Sequence, residues 1–383
     1  AVVPCTQQDN SSAATSPCSK ARRSLPSHRI NFLFQNSVAF QTIRGEAGVD
    51  FIGTANVDAL FSLNESGIKT IDALAGNDTV DLFDESGVVG TAEVKLGEGD
   101  DIFTMGANST ITNRLSDSTV NGGPGNDNIT SEGSLSTKLR GNEGDDDFFF
   151  LSNYTNTTIN GNSGQDSFVL TELAVDTTVV LSNSKILGGS GNDGQIYFSD
   201  QGQAAGTTSL RAVDSVIQGG KGLDTITIGA LAAGTTGFRV SGGADNDTIN
   251  VANTNGDADD VAYNGAGGDD SINFGGTNAA DAVTKGGDGD DVYLIAGSGD
   301  IEAFGEAGND SFTLAGAGEH TVTGGIGADT YSSTVTDALT INIGSVSESA
   351  AATTGTAVTF DTIATALTAD DIIDASNAGV ELV

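Results

Sequence analysis

The chain has 383 residues and a formal net charge of −37, from 52 Asp and Glu against 15 Lys and Arg. It holds 53 Gly, two Cys, two His and no Trp, and 37% of its residues are hydrophobic. No run approaches the roughly 18 apolar residues of a membrane span, a nucleic-acid partner would need far more Lys and Arg, and two Cys cannot staple a fold. Low hydrophobicity with high net charge marks a disordered chain unless the sequence carries regular order, so internal repetition decides the fold class.

Residues 1–42 form an N-terminal arm without that order. Residues 1–44 carry five basic side chains (Lys20, Arg22, Arg23, Arg29, Arg44) against Asp9, a net +4, so the remainder carries −41. Cys5 and Cys18 are close enough in sequence for a disulfide, with free thiols as the alternative; an oxidising, extracellular setting would allow the bond. The chain starts at Ala1 rather than Met, consistent with signal-peptide removal or with proteolysis. Ile30–Phe34 and Val38–Ile43 are strand-like and apolar. They suit a cap on the first coil of a β-stack, or a strand donated to a neighbouring molecule.

Between residues 43 and 333 one phrase returns, as in Gly188-Gly189-Ser190-Gly191-Asn192-Asp193. Thirteen copies align on their last Asp: Asp50, Asp78, Asp101, Asp127, Asp146, Asp166, Asp193, Asp224, Asp247, Asp270, Asp291, Asp310 and Asp329. Twelve have Gly two residues earlier, the exception being Asp245, and eleven have Gly five residues earlier, the exceptions being Ala73 and Leu96. Two residues after the Asp comes an apolar or aromatic side chain in every copy but that of Asp193, which carries one inserted residue. Seven residues before it lies another apolar one, from Ile43 to Val322, with Thr284 and Ala303 as weaker members. Each unit therefore reads strand, Gly-rich turn, strand, with inward side chains at period two. The spacing of the Asp residues runs from 19 to 31. Because the Gly–Asp turn keeps its length, the extra residues must fall in the other turn, giving one uniform edge and one ragged edge.

Gly lets the turn take positive φ and brings carbonyls close together. A carboxylate among carbonyls is an all-oxygen set, which suits Ca²⁺ better than Mg²⁺. Zn²⁺ is excluded by the scarcity of its ligands, since His28 and His320 are the only His and both Cys lie in the arm. A solvated Asx turn without metal is the alternative. Stacked carboxylates roughly 5 Å apart would repel one another strongly without a counter-ion.

The phrase resembles the Gly-Gly-x-Gly-x-Asp-x-apolar-x nonapeptide of the RTX, or haemolysin-type calcium-binding, family. That resemblance covers about residues 43–333. It implies a parallel β-roll with Ca²⁺ between the turns of neighbouring coils, at the thirteen Asp residues. The family runs its nonapeptides back to back, whereas here only one half of each coil carries the motif, which implies a single ladder. The expected fold is all-β: a parallel β-solenoid of about thirteen coils, roughly 60 Å long, with calcium along one edge. Thirteen turns leave about twelve gaps, and about twelve Ca²⁺ would take −37 to about −13.

Residues 334–383 lose the phrase, contain no Lys or Arg, and carry Asp337, Glu348, Asp361, Asp370, Asp371, Asp374 and Glu381. They suit a cap, an assembly segment or, by the family resemblance, an acidic export signal. A basic head and an acidic tail permit head-to-tail contact, which builds filaments or layers. No catalytic motif occurs, so the expected function is not enzymatic. It is an extracellular, calcium-binding structural protein that self-assembles, its partner being itself. The alternatives are a calcium-dependent adhesin for cell-surface glycans or the stalk of a larger secreted protein, and then a polysaccharide-acting β-solenoid.

Overall fold

The computed structural model describes residues 69–333 apart from short segments. It also describes isolated strands at His28–Arg29, Gln41–Arg44, Asp50–Gly53, Leu339–Asn342, Phe360–Asp361 and Ile372–Asp374. Cys5, Cys18, most of the 1–42 arm, most of 334–383 and the side chain of Asp50 lie outside the described residues.

Every strand pair is parallel and in register, each coil lying on the one before it. Two ladders flank the Gly–Asp turn. The leading ladder enters the turn, as in Thr158–Ser163 and Lys185–Ser190; the trailing ladder leaves it, as in Ser167–Leu170 and Gln195–Phe198. The fold is thus the expected parallel β-solenoid, but the coil count is higher than thirteen. Among the described residues each ladder joins fifteen strands, the outermost being Gln41–Arg44 and Ile372–Asp374 on one and His28–Arg29 and Phe360–Asp361 on the other. Parallel pairing needs only backbone N–H and C=O groups, so the stack continues past the last Gly–Asp copy.

The expected period-two core is present. Ile159 pairs with Ile186 and Ile186 with Ile217 on the leading side, and Phe148 with Phe168 on the trailing side; all are buried. A second inward row lies four residues after the Asp and includes Met105, Phe150, Ile228, Val251, Phe274, Ile295 and Leu314. Identical register stacks like on like: the rings of Phe148 and Phe168 lie 4.9 Å apart and nearly parallel, and Tyr293, Phe312 and Tyr331 form a longer stack at 4.6 and 5.3 Å. The inserted residue after Asp193 is Gly194; it shifts Ile196 into the place opposite Phe168, and the ladder continues.

The chain between a trailing strand and the next leading strand varies in length, as the spacing required. In the middle of the solenoid it includes a third short ladder, through Leu115–Ser116, Ser134–Leu135, Tyr154–Thr155, Thr178–Ser182 and Ser209–Val213. A left-handed residue then turns the chain into the leading strand: Asp117, Ser136, Asn156, Asn183 and Asp214 all have φ of 47–53°. Asx and Ser residues tolerate that conformation through local hydrogen bonding. The next residue is a buried hydroxyl in each case: Ser118, Thr137, Thr157, Ser184 and Ser215. Ser184 Oγ donates to the Ser182 carbonyl (2.9 Å) and accepts the Thr157 N–H (3.1 Å), while the Ser184 N–H donates to Ser215 Oγ (3.1 Å). This hydroxyl corner escaped the sequence analysis, although its signal, an Asx or Ser followed by Ser or Thr nine residues before the aligned Asp, is present in five consecutive copies.

Candidate metal centre

The twelve aligned Asp residues from Asp78 to Asp329 are all buried and form one continuous row inside the Gly–Asp edge. A bend leaves each Asp N–H without a strand carbonyl, and a buried N–H must find an acceptor. It finds the carboxylate of the next coil: Asp146 N–H donates to Asp166 Oδ1 (3.0 Å), Asp166 N–H to Asp193 Oδ1 (2.9 Å), and Asp193 N–H to Asp224 Oδ1 (2.8 Å). The row is unbroken from Asp78 N–H, which donates to Asp101, to Asp310 N–H, which donates to Asp329. Just outside it runs a second row in the opposite sense. The Asn or Asp before the aligned Asp accepts the N–H of its counterpart one coil on, as when Asn126 Oδ1 accepts from Asp145 (3.0 Å) and Asp145 Oδ1 from Gln165 (2.8 Å). That role explains the preference for Asn and Asp at this place.

The second carboxylate oxygen is the unusual one. Oδ2 of Asp101, Asp127, Asp146, Asp166, Asp193, Asp224, Asp247, Asp270, Asp291 and Asp310 is buried and has no hydrogen-bond partner. From Asp127 onward it points at the Gly five residues earlier. A Cβ on Gly188 would overlap Asp193 Oδ2 and the carbonyl oxygen of Gly219 in the next coil; Gly161, Gly219, Gly265, Gly286 and Gly305 repeat this arrangement. The sequence assigned every Gly of the turn to positive φ. That holds for the Gly two residues before the Asp, such as Gly144 at 127° and Gly191 at 140°. The Gly five residues before has no such φ; its lack of a side chain leaves a space bordered by a carboxylate oxygen and a carbonyl oxygen. At Asp245, which replaces the usual Gly, the chain accepts a φ of 80° and the side chain reaches the Gly222 N–H (3.1 Å).

The end coils depart. Ala73 and Leu96 stand where the other copies have that Gly, and both are fully buried, so side chains fill the space beside Asp78 and Asp101. At the far end the space above Gly324 is bordered by Asp329 Oδ2 and the Tyr331 hydroxyl instead of a further Gly carbonyl.

Burial pushes these carboxyls well above the usual carboxylate range. The hydrogen bond from the preceding Asp N–H opposes this, and neighbouring Asp charges add to it. Asp101, Asp166, Asp224 and Asp270 rise to about 6, Asp127, Asp247, Asp291 and Asp310 to about 7, and Asp146 and Asp193 to about 8. No Lys or Arg pairs with them among the described residues. Among the same residues no three His, Cys, Asp or Glu side chains gather as a metal cluster. A cation held here would be bound by one or two carboxylates and several carbonyls, and the orphaned Oδ2 atoms and Gly carbonyls fit a hard cation with oxygen ligands.

The geometry defines an all-β parallel solenoid with a single internal carboxylate ladder. No protein-family model matches the chain, and no curated protein matches it in sequence. Among solved structures it is similar to that of a hyperactive, Ca²⁺-dependent, β-helical antifreeze protein from an Antarctic bacterium, at 18% identity and a TM-score of 0.41, over 80% of this chain and 84% of that one. A likeness of that degree assigns no function here.

Proposed function

We propose that this chain is an extracellular, calcium-binding structural protein of RTX-like type, not an enzyme, whose solenoid self-assembles into a layer or filament. The observation that carries the calcium reading is the buried row of Oδ2 atoms from Asp127 to Asp310, each aimed at a Gly-lined space and most of them at a Gly carbonyl oxygen of the next coil as well. A carboxylate oxygen in that position is stabilised either by a proton or by a cation. The residues that would hold Ca²⁺ are Asp127, Asp146, Asp166, Asp193, Asp224, Asp247, Asp270, Asp291 and Asp310, with Gly carbonyls of their own and adjacent coils. Bound calcium supplies the positive charge that lets these carboxyls ionise inside the protein. Asp78 and Asp101 are the weakest candidates because Ala73 and Leu96 fill their spaces.

Assembly rests on the chain's polarity, a basic head of +4 and a tail without Lys or Arg, which suits repeated end-to-end contact. Two measurements test the proposal. Excess EGTA should abolish the β signal in circular dichroism at neutral pH, and an unchanged spectrum would overturn the calcium reading. Electron microscopy in calcium should show assemblies for the full chain that are lost when residues 1–42 are removed. Monomers from both chains at high concentration would overturn self-assembly.

A further inference from the structure

Charges outside the aspartate ladder are sorted by face. On the leading strand, the residues eight and six before the aligned Asp point outward, between the buried ones. From the coil of Asp127 to that of Asp291 these two rows contain Lys138, Arg140, Lys185, Arg239 and Lys285 and no acid. The five cations fall in the coils of Asp146, Asp193, Asp247 and Asp291, which is every second coil. The coils between carry Thr158 and Asn160, Val216 and Gln218, and Ala262 and Asn264. Lys95 extends the alternation to the coil of Asp101. The positive charge therefore repeats at roughly 10 Å, twice the interstrand spacing. From Asp50–Gly53 onward the described trailing strands carry no Lys or Arg; Arg29 lies on the outermost one.

The outer side of the Gly–Asp edge is acidic, and mostly in the same coils. Glu98 and Asp100 belong to the coil of Asp101, Glu143 and Asp145 to that of Asp146, Asp245 to that of Asp247, and Asp288 and Asp290 to that of Asp291. All seven are exposed; Asp269 and Glu306 fall off the alternation, the coil of Asp193 has no acid on this edge, and Lys221 is an exposed base on it in the coil of Asp224. Three of the cations are matched within the chain, Lys95 by Glu93 (3.1 Å), Arg239 by Asp260 (2.6 Å) and Lys285 by Glu306 (2.5 Å). Lys138, Arg140 and Lys185 are exposed and have no ion pair among the described residues.

We infer that the occupant of this basic face is the acidic Gly–Asp edge of a second copy of the same chain, lying alongside the first. The inference rests on the reading of a self-assembling structural protein, and it names a sideways contact distinct from the end-to-end one. The acid row complementary to the cation row is found on this chain and coincides with it in four of the five cation-bearing coils, those of Asp101, Asp146, Asp247 and Asp291, which is the reason to choose a second copy over a foreign polyanion. Charges matched along a long face set register and partner choice. The two surfaces differ, so each rod offers one of each, and copies add without limit unless the rotation closes a ring.

The test uses the full chain in saturating calcium, followed by sedimentation velocity and negative-stain microscopy. One variant reverses the face (K138E/R140E/K185E) and another reverses the edge (E98K/E143K/D288K), at exposed positions outside the ladder. Circular dichroism checks that both fold. Sideways association of the wild type should weaken at least about tenfold on raising salt from low to physiological, as screening shortens to about 8 Å. Each variant alone should lose it, and an equal mixture of the two should regain it, because each then meets its complement. Sideways association by either variant alone, or a mixture as dispersed as its parts, overturns the inference. Strings one rod wide in such a failed mixture leave the end-to-end reading standing, whereas a wild type that stays monomeric under every salt condition overturns both.

Discussion

Raising the pH of the metal-free protein drives protons out of the aspartate ladder with nothing to replace them. An Asp at about 6 in the folded state, such as Asp166 or Asp270, lies roughly two pH units above its unfolded value. Ionising it inside the solenoid therefore costs about 3 kcal/mol, and Asp146 and Asp193, at about 8, cost nearly twice that. Ten such groups together exceed the roughly 5–15 kcal/mol by which a domain is normally stable. The folded pKa lies above the unfolded one, so the folded state binds more protons between about pH 4 and 8. Stability of the metal-free chain is then fully present at about pH 4 and is lost as pH rises through 6 to 8. Calcium reverses the demand because it needs the ionised carboxylate, and its affinity should rise across the same window. Thermal melts followed by far-ultraviolet circular dichroism, from pH 5 to 9, in EGTA and in millimolar calcium, measure both. The expected result is a midpoint that falls with pH in EGTA, and a gap between the two curves that widens above pH 6. A midpoint in EGTA that is flat or rises between pH 6 and 8 would refute the reasoning.

Asp193→Asn separates proton from metal. The amide still accepts the Asp166 N–H and puts a donor toward the Gly219 carbonyl, so the midpoint in EGTA at pH 5 to 6, where the metal-free chain still folds, should rise, by a few kcal/mol in stability, while in calcium it should fall; equal shifts in both conditions would argue against a metal at this place. Gly188→Ala fills the space between Asp193 Oδ2 and the Gly219 carbonyl. It should remove one calcium in equilibrium dialysis, and Leu96→Gly, which opens the blocked place beside Asp101, should add one. Ser184→Ala leaves the Thr157 N–H buried without its acceptor, at about 1–3 kcal/mol, and should lower the melting point equally with and without calcium.

Much of the fold was legible because a solenoid repeats one local rule. The Asp register, with its apolar residues two after and seven before, gave parallel coils, the inward rows and the placing of extra chain at the ragged edge. Only pairing across coils revealed the rest. Ser184 is an unremarked Ser in the sequence and becomes an acceptor only when Thr157 lies over it. The Gly five residues before the Asp looks like a flexible turn residue, and contact alone shows that its missing side chain makes room for Oδ2. Beyond the Gly–Asp copies, Leu339–Asn342 and Phe360–Asp361 fall on stretches that read as strand-like, and only their parallel pairing shows them to be further coils.

Composition alone set the charge at −37, and the sequence by itself determined that thirteen Asp recur in register between a basic head and a tail without bases. Tertiary structure decided what that charge does. It buried one carboxylate row behind glycines, where ionisation requires a cation, and left another outside. It also gathered most of the described bases on one face at every second coil. Sequence order cannot display such groupings, because residues 19 to 31 positions apart become neighbours only when the coils stack.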